Sequence, residues 1–151
     1  MENIPRLKEL VCLLSCQPRD METQLPVALD CLRDALSAEA VGVIWPDAAG
    51  RLRETAQSPE HFLLSPALQS EINNSGNLSS PRWGRNGQAW LVAPMKVSGV
   101  TVGRLWAVDN VARAFNREDR EFAMMMGNQL ALALENSRLY SDVKRLASRR
   151  A

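Results

Sequence analysis

Two interleaved rows of residues, each with a spacing of seven, run through the last third of the chain and constrain its fold more than any other feature. The first row is apolar and consists of Met125, Leu132, Leu139 and Leu146. The second row lies between them and consists of Gln129, Asn136 and Val143. Rows with this spacing form the d and a positions of a coiled-coil seam. The pattern therefore predicts one long amphipathic helix over residues 116–150 that pairs with another helix.

The partner of this helix is expected to be its own copy. A single asparagine at an a position, here Asn136, favours parallel pairing of two strands in one register. The neighbouring face is left to pack on the domain and consists of Phe122, Met126, Leu130 and Ala133. A helix of this length spans about 50 Å, which is longer than a domain of this size is wide. We therefore expect a homodimer whose helix projects, the alternative being a lone surface helix with frayed ends.

Composition and charge are those of a single domain over residues 1–151. Of these residues 46% are hydrophobic and 23% are charged, which suffices for one core. The net charge of +1 gives no broad field that would attract nucleic acid or an anionic membrane. The longest apolar runs, such as residues 41–45 and 89–95, are too short to span a bilayer, and no signal peptide is indicated. We expect a cytoplasmic protein without nucleic-acid or membrane partners.

The three cysteines, Cys12, Cys16 and Cys31, all lie in the first quarter of the chain. An odd number without a secretory context argues against a disulfide framework, so reduced thiols are expected. Cys12 and Cys16 are four apart, which would put them on one helical face, but no nearby histidine or Cys-x-x-Cys completes a metal site. We expect no metal and interpret the cysteines as small buried residues.

The chain is predicted to open with two helices. Apolar residues recur at helical spacing over residues 4–17, and Asp20 is placed to cap a second helix that ends near Ser37. The helices at 4–17 and 116–150 are expected to form a dimerising bundle together.

A hairpin and a mixed segment are predicted next. Short β-branched and aromatic runs indicate strands at 40–45 and 51–56. A helical segment is expected to start at Ser58 and to end near residue 73, with a break at Pro66. Residues 77–88 are rich in Ser, Pro, Gly and Asn, and predict a loop with at most a short strand near residues 78–80.

The strongest strand signals cover residues 88–97 and 100–110, joined by a tight turn at Ser98 and Gly99. Both strands are apolar on both faces, which predicts a sheet covered on each side. Pro94 cannot donate to the ladder, so an edge or a bulge is expected there.

Four motifs occur in order between residues 91 and 140. They are Leu91-Val92-Ala93-Pro94-Met95, then Gly99-Val100-Thr101-Val102-Gly103-Arg104-Leu105, then Phe115-Asn116-Arg117-Glu118-Asp119, and a closing helix that runs into Glu135-Asn136 and Leu139-Tyr140. This order resembles the GAF family of sensory domains. The resemblance implies an α+β fold of the GAF/PAS-like type, with an antiparallel β-sheet, the N- and C-terminal helices packed on one face, and a ligand-type pocket on the other.

The resemblance does not name a ligand, because members of the family bind cyclic nucleotides, bilins, haem, small anions or metabolites. The Asn-Lys-Phe-Asp-Glu signature of cyclic-nucleotide binders is absent, and the cysteines lie in the opening helices, where a bilin is not attached. The related free methionine sulfoxide reductases use cysteines in the second half of the domain, where this chain has none. His61, the only histidine, leaves axial haem ligation as an alternative to a surface or capping role. We expect no catalytic residues, and the cofactor is unassigned.

Polar and aromatic residues of the second half are the candidates for binding a small molecule. They are Trp83, Arg85, Gln88, Trp90 and Arg104. Arg104 is expected to share a strand face with Val102 and Trp106, and a charge between apolar neighbours needs a partner. That partner is Glu54, an anionic ligand, or solvent at a sheet edge. Trp45 and Trp106 are interpreted as core residues.

Two functions remain open at this point. The first is a sensory input domain that binds a small molecule and signals through a dimeric C-terminal helix. The second is a ligand-free dimerisation scaffold with a degenerate pocket. Because the helix still projects at Arg149 and Arg150, we expect the chain to be an input module of a longer histidine kinase, diguanylate cyclase or transcription regulator.

Overall fold

The computed structural model describes residues 21–46, 50–73, 80–85, 88–109 and 115–150. Within these ranges the elements, in chain order, are α1 (Met21–Leu36), β1 (Ala40–Pro46), β2 (Leu52–Ser58), α2 (Pro66–Asn73), β3 (Arg82–Arg85), β4 (Ala89–Val97), β5 (Val100–Asp109) and α3 (Arg117–Arg150). The predicted helix at 4–17, its Cys12 and Cys16, and the cap at Asp20 lie outside the described residues.

The strands form one antiparallel sheet in the order β2-β1-β5-β4-β3, which confirms the predicted α+β class. Ser98 and Gly99 have φ angles of 52° and 81°, the left-handed pair that closes a two-residue hairpin between β4 and β5. Strand β3 pairs with β4 only as far as Val92. Pro94 therefore has β5 as its paired neighbour, and its missing N–H does not interrupt the pairing with β3.

Both faces of the sheet are covered, as the apolar strands predict. On one side, here called the helix face, α1 and α3 bury Leu91, Met95 and Leu105. The opposite side, here called the α2 face, is covered by α2 and by Phe62 and Leu64. The buried residues of the α2 face are Ala40, Ile44, Leu68, Ile72, Trp90, Val92, Trp106 and Val108.

The ends of the long elements follow local chemistry. Helix α1 ends at Leu36 because Ser37 takes a left-handed φ of 51°, and the Ala38 N–H then donates to the Arg33 carbonyl at 3.0 Å. At the start of α3 the capping is reciprocal. The Asn116 side chain accepts from the Asp119 N–H at 2.8 Å, and the Asp119 carboxylate accepts from the Asn116 N–H at 3.1 Å.

The segment between β2 and α2 differs from the prediction, because the helix begins at Pro66 and not at Ser58. The side-chain amide of Gln57 donates to the carbonyls of Pro59, Glu60 and Phe62 at 2.7 to 3.2 Å, which holds a non-helical turn. Proline is favoured at the first position of a helix, and the Ser65 hydroxyl accepts from the Leu68 N–H at 3.3 Å as the cap.

Strand β3 was predicted as loop, and that prediction is wrong for Arg82–Arg85. The strand is short and lies at the edge of the sheet, so it needs only one paired neighbour. Ser80, where the short strand was expected to end, lies in a bend. Among the described residues, no helix is long and apolar enough to cross a membrane.

Candidate functional site

Three of the four tryptophans lie against a glycine on the neighbouring strand. The pairs are Trp106 with Gly42, Trp90 with Gly84, and Trp45 with Gly103. A Cβ atom added at the glycine would come within 2.3, 2.9 and 2.7 Å of the respective indole ring. The rings therefore occupy the space that a side chain on the neighbouring strand would fill, which is a packing role. This agrees with the interpretation of Trp45 and Trp106 as core residues.

Arg104 is a buried cation of the α2 face, with 8% of its surface exposed. Its Nη1 donates to the carbonyl of Ile72 at 2.8 Å, in the last turn of α2, where carbonyls lack partners within the helix. Burial and, secondarily, the nearby charge of Arg82 lower the pKa of the Arg104 guanidinium. Arg104 thus fastens the end of α2 to the centre of the sheet.

The strand neighbours of Arg104 differ in part from the prediction. Trp106 shares the α2 face with Arg104, but Val102 packs against the core of the helix face. The register of β4 and β5 shifts between Met95 and Lys96, and this bulge breaks the two-residue alternation. Glu54 is a predicted partner of Arg104. In the sheet Ile44 of β1 pairs with Glu54 of β2 on one side and with Arg104 of β5 on the other, so β1 lies between the two residues.

Arg82 is a second cation near the α2 face, and sequence reasoning missed it. Its guanidinium lies 3.5 Å from the carboxylate of Glu71 on α2 and 5.8 Å from the centre of the Trp90 ring. The Arg82–Glu71 bridge is half-exposed, so it contributes little to stability. Recognising β3 as a strand would have revealed Arg82, because Arg82 and Gly84 alternate with Trp83 and Arg85.

The predicted ligand-binding residues do not form one group. Trp90 and Arg104 lie on the α2 face. Trp83 and Arg85 pair with Leu91 and Ala89, whose side chains belong to the core of the helix face. Gln88 is half-buried just before β4. Their role in ligand binding stays a prediction. Trp90 and Arg104 share the α2 face, where they lie four positions apart in the register of β4 and β5.

Trp83 forms part of a groove on the other side of the sheet. Its ring lies 3.9 Å from the guanidinium of Arg120 on α3 and is 48% exposed. The groove between β3 and α3 has a volume of about 640 Å³. It is lined by Ser80, Pro81, Trp83, Arg117, Arg120, Glu121, Met124, Met125 and Asn128.

Helix α3 carries two different apolar faces where its side chains are described. Met126, Leu130 and Ala133 are at most 4% exposed, and Phe122 packs beside them, so the face assigned to the domain does contact it. The seam positions are open instead: Met125 is 43% and Leu132 54% exposed, and Gln129 and Asn136 are exposed as well. The side chains of the other three predicted seam residues, Leu139, Val143 and Leu146, lie outside the described part.

His61 lies in an exposed turn and not in a helix over the α2 face, contrary to the expectation behind haem ligation. Cys31 is half-buried in α1. In the ranges that the structure describes, no group of three or more His, Cys, Asp or Glu residues could hold a metal ion.

Arg104→Met is expected to lower the free energy of unfolding by about 1–3 kcal/mol, because the Ile72 carbonyl loses its buried donor. Urea denaturation measures this loss. Arg117→Met is the matched control, because Arg117 is exposed and its ion pair in the described part of the chain runs along the helix to Glu121, a contact of about 0.5 kcal/mol or less. Equal losses in the two variants would contradict the role assigned to Arg104.

The sequence model of the GAF domain family matches residues 20–134 of the chain. No curated protein matches this chain.

Solved structures share the fold. The GAF domain of a phosphoenolpyruvate-protein phosphotransferase from Coxiella burnetii is 17% identical, with 93% of this chain and 96% of that one covered and a TM-score of 0.72. The GAF domain of a protein assigned as a sensor histidine kinase from Pseudomonas syringae is 23% identical, with 91% and 92% covered and a TM-score of 0.64. The free methionine-R-sulfoxide reductase of Neisseria meningitidis is 15% identical, with 89% of each chain covered and a TM-score of 0.66. At these identities the likeness establishes the fold alone.

Proposed function

Because this chain belongs to the GAF domain family, we propose that it is a sensory input domain of a signal-transduction protein, which works as a homodimer and signals through α3. The observation that carries the proposal is the division of α3 into a face buried on the sheet and an exposed seam. A signal that shifts the sheet would move the buried face, and a paired seam would pass that movement along the coil.

The dimer is supported by the burial pattern of the seam. Met125 and Leu132 are large apolar side chains seven residues apart, and both are about half-exposed in the single chain. Between them Gln129 is exposed, and Asn136 continues the a row. Parallel pairing of two copies of α3 would cover these positions and place the two Asn136 side chains opposite each other.

The input is proposed to be a small anionic or polar molecule on the α2 face. The pKa of Arg104 is lowered there mainly by burial and secondarily by the charge of Arg82, so an anion would offset both the burial of the cation and its repulsion from Arg82. Such a ligand would compete with the Ile72 carbonyl for Arg104 and would thereby act on α2.

A second candidate function is a ligand-free dimerisation scaffold. It is favoured by the packing of the α2 face, where Trp106, Leu68 and Ile72 are at most 1% exposed and Arg104 bonds to the chain itself. In both candidates the seam of α3 carries the dimer, so the two differ only in the input.

Native mass spectrometry of the purified chain separates these functions. A dimer mass with a retained small molecule supports the sensory domain, and a dimer without added mass supports the scaffold. Stabilisation by a panel of small anions, measured as a thermal shift, then tests the site: Arg104→Met should abolish it, whereas Arg117→Met, at an exposed arginine of α3, should leave it unchanged. A monomer at all concentrations would contradict both functions.

Asn136→Leu is expected to strengthen association but to leave the number of paired helices and their register undefined. An asparagine that is buried at an a position on pairing restricts a coil to two parallel strands. Sedimentation velocity should show a single dimer for the wild type and a mixture with larger assemblies for the variant. A single dimer of unchanged affinity in Asn136→Leu would show that Asn136 does not lie at the seam.

Catalysis is not part of the proposal. The cysteines are confined to positions 12, 16 and 31, and the only histidine lies in an exposed turn. The cytoplasmic location and the identity of the output domain stay predictions.

A further inference from the structure

Strand β3 contacts the two sides of the domain through consecutive residues. Successive side chains of a strand point to opposite faces. Arg82 reaches Glu71 on α2 at 3.5 Å and lies over Trp90 of the α2 face. The next residue, Trp83, stacks on Arg120 of α3 at 3.9 Å. One peptide bond therefore joins a contact with α2 to a contact with α3.

The contact on the α3 side involves the beginning of the helix. Arg120 Nη1 also donates to the carbonyl of Phe115 at 2.8 Å, so the same guanidinium joins β3 to the start of α3. Phe115 is 1% exposed, which anchors this point in the core of the helix face. A displacement of Trp83 would therefore also displace the first two turns of α3.

The strand itself is suited to move. It is four residues long, lies at the edge of the sheet and pairs with β4 over Arg82–Arg85 only. Short elements with few buried contacts open at a lower free energy than the core. The Arg82–Glu71 bridge is half-exposed and weak, so it can form and break without unfolding the domain.

We propose that β3 couples the position of α2 to the first turns of α3, through the Glu71–Arg82 bridge on one face and the Trp83–Arg120 contact on the other. This inference rests on the proposed function in one respect only, that α3 is the output. Coupling between two sites is reciprocal, so a change at Arg120 also alters the Glu71–Arg82 bridge.

Fluorescence quenching by acrylamide tests the coupling directly. Trp83 is 48% exposed, whereas Trp45, Trp90 and Trp106 are at most 8% exposed, so a neutral quencher reports mainly on Trp83. Arg120→Gln removes the cation that covers one face of the Trp83 ring and should raise the quenching constant, because that face becomes accessible to the quencher. Glu71→Gln breaks only the bridge on the opposite face and should also raise the quenching constant.

The double variant and two controls complete the test. Glu71→Gln combined with Arg120→Gln should give the constant of Arg120→Gln alone, because both changes act through one contact. Glu60→Gln makes the same charge change at another exposed carboxylate and should have no effect, and Trp83→Phe should remove the quenchable component. An unchanged constant in Glu71→Gln or in Arg120→Gln, or additive effects in the double variant, would overturn the proposal. Sedimentation of the same samples reports the dimer separately, so failure of the proposed function is distinguishable.

Discussion

Gly42→Ala is expected to lower the free energy of unfolding by about 2–3 kcal/mol, although it adds only one methyl group. The added Cβ would lie 2.3 Å from the ring of Trp106, far inside van der Waals contact. The ring has no space to retreat, because Trp106 is 1% exposed and is packed with Leu68 and Ile72 of α2. The strain would therefore spread into the backbone of β1 and β5, which are central strands of the sheet.

Urea denaturation of the wild type and the variant measures this loss, and two further variants identify its cause. Gly84→Ala creates the same kind of clash at the edge of the sheet, but with a longer distance of 2.9 Å to Trp90, and should cost less. In a Trp106→Phe background the smaller ring leaves room, so Gly42→Ala should cost less than it does beside tryptophan. An equal cost in both backgrounds would show that the ring of Trp106 is not what excludes a side chain at Gly42.

Much of the second half of the fold was predictable because its signals are local. The turn at Ser98 and Gly99, the cap at Asn116 and the buried face of α3 each depend on residues close together in sequence. The Arg104–Ile72 bond joins residues 32 positions apart. Its acceptor is a backbone carbonyl, which every residue has, so the residue type of Ile72 does not indicate the bond. Sequence reasoning could say that Arg104 needs a partner, but not that the partner belongs to α2.

Sequence reasoning did not assign the candidate ligand-binding residues to the two faces of the sheet. The face of a strand residue follows from its register, and a segment read as loop has no register. Residues 82–85 carry two arginines, a glycine and one aromatic residue, a composition that does not signal a strand. Trp83 and Trp90 were therefore grouped as ligand-binding candidates because both are tryptophans. The pairing of β3 with β4 places them on opposite sides of the sheet.

Leu132→Glu is expected to raise the dissociation constant of the dimer by at least about 100-fold, which corresponds to about 2.7 kcal/mol or more. In a parallel pair the two copies of Leu132 meet at a d position, so the variant places two carboxylates opposite each other in a site that excludes water. The domain itself should fold normally, because the side chain is 54% exposed in the single chain. Sedimentation equilibrium over a range of concentrations measures the constant, and thermal unfolding followed by circular dichroism verifies the fold.

Leu63→Glu is the matched control, because it makes the same chemical change at a leucine that is 89% exposed and lies away from α3, after β2. It should leave the dissociation constant unchanged. If Leu132→Glu also leaves it unchanged, the seam is not the dimer interface. The proposed transmission through α3 would then be wrong even for a protein that dimerises by another surface, because only a paired seam turns movement of the sheet into movement of the coil.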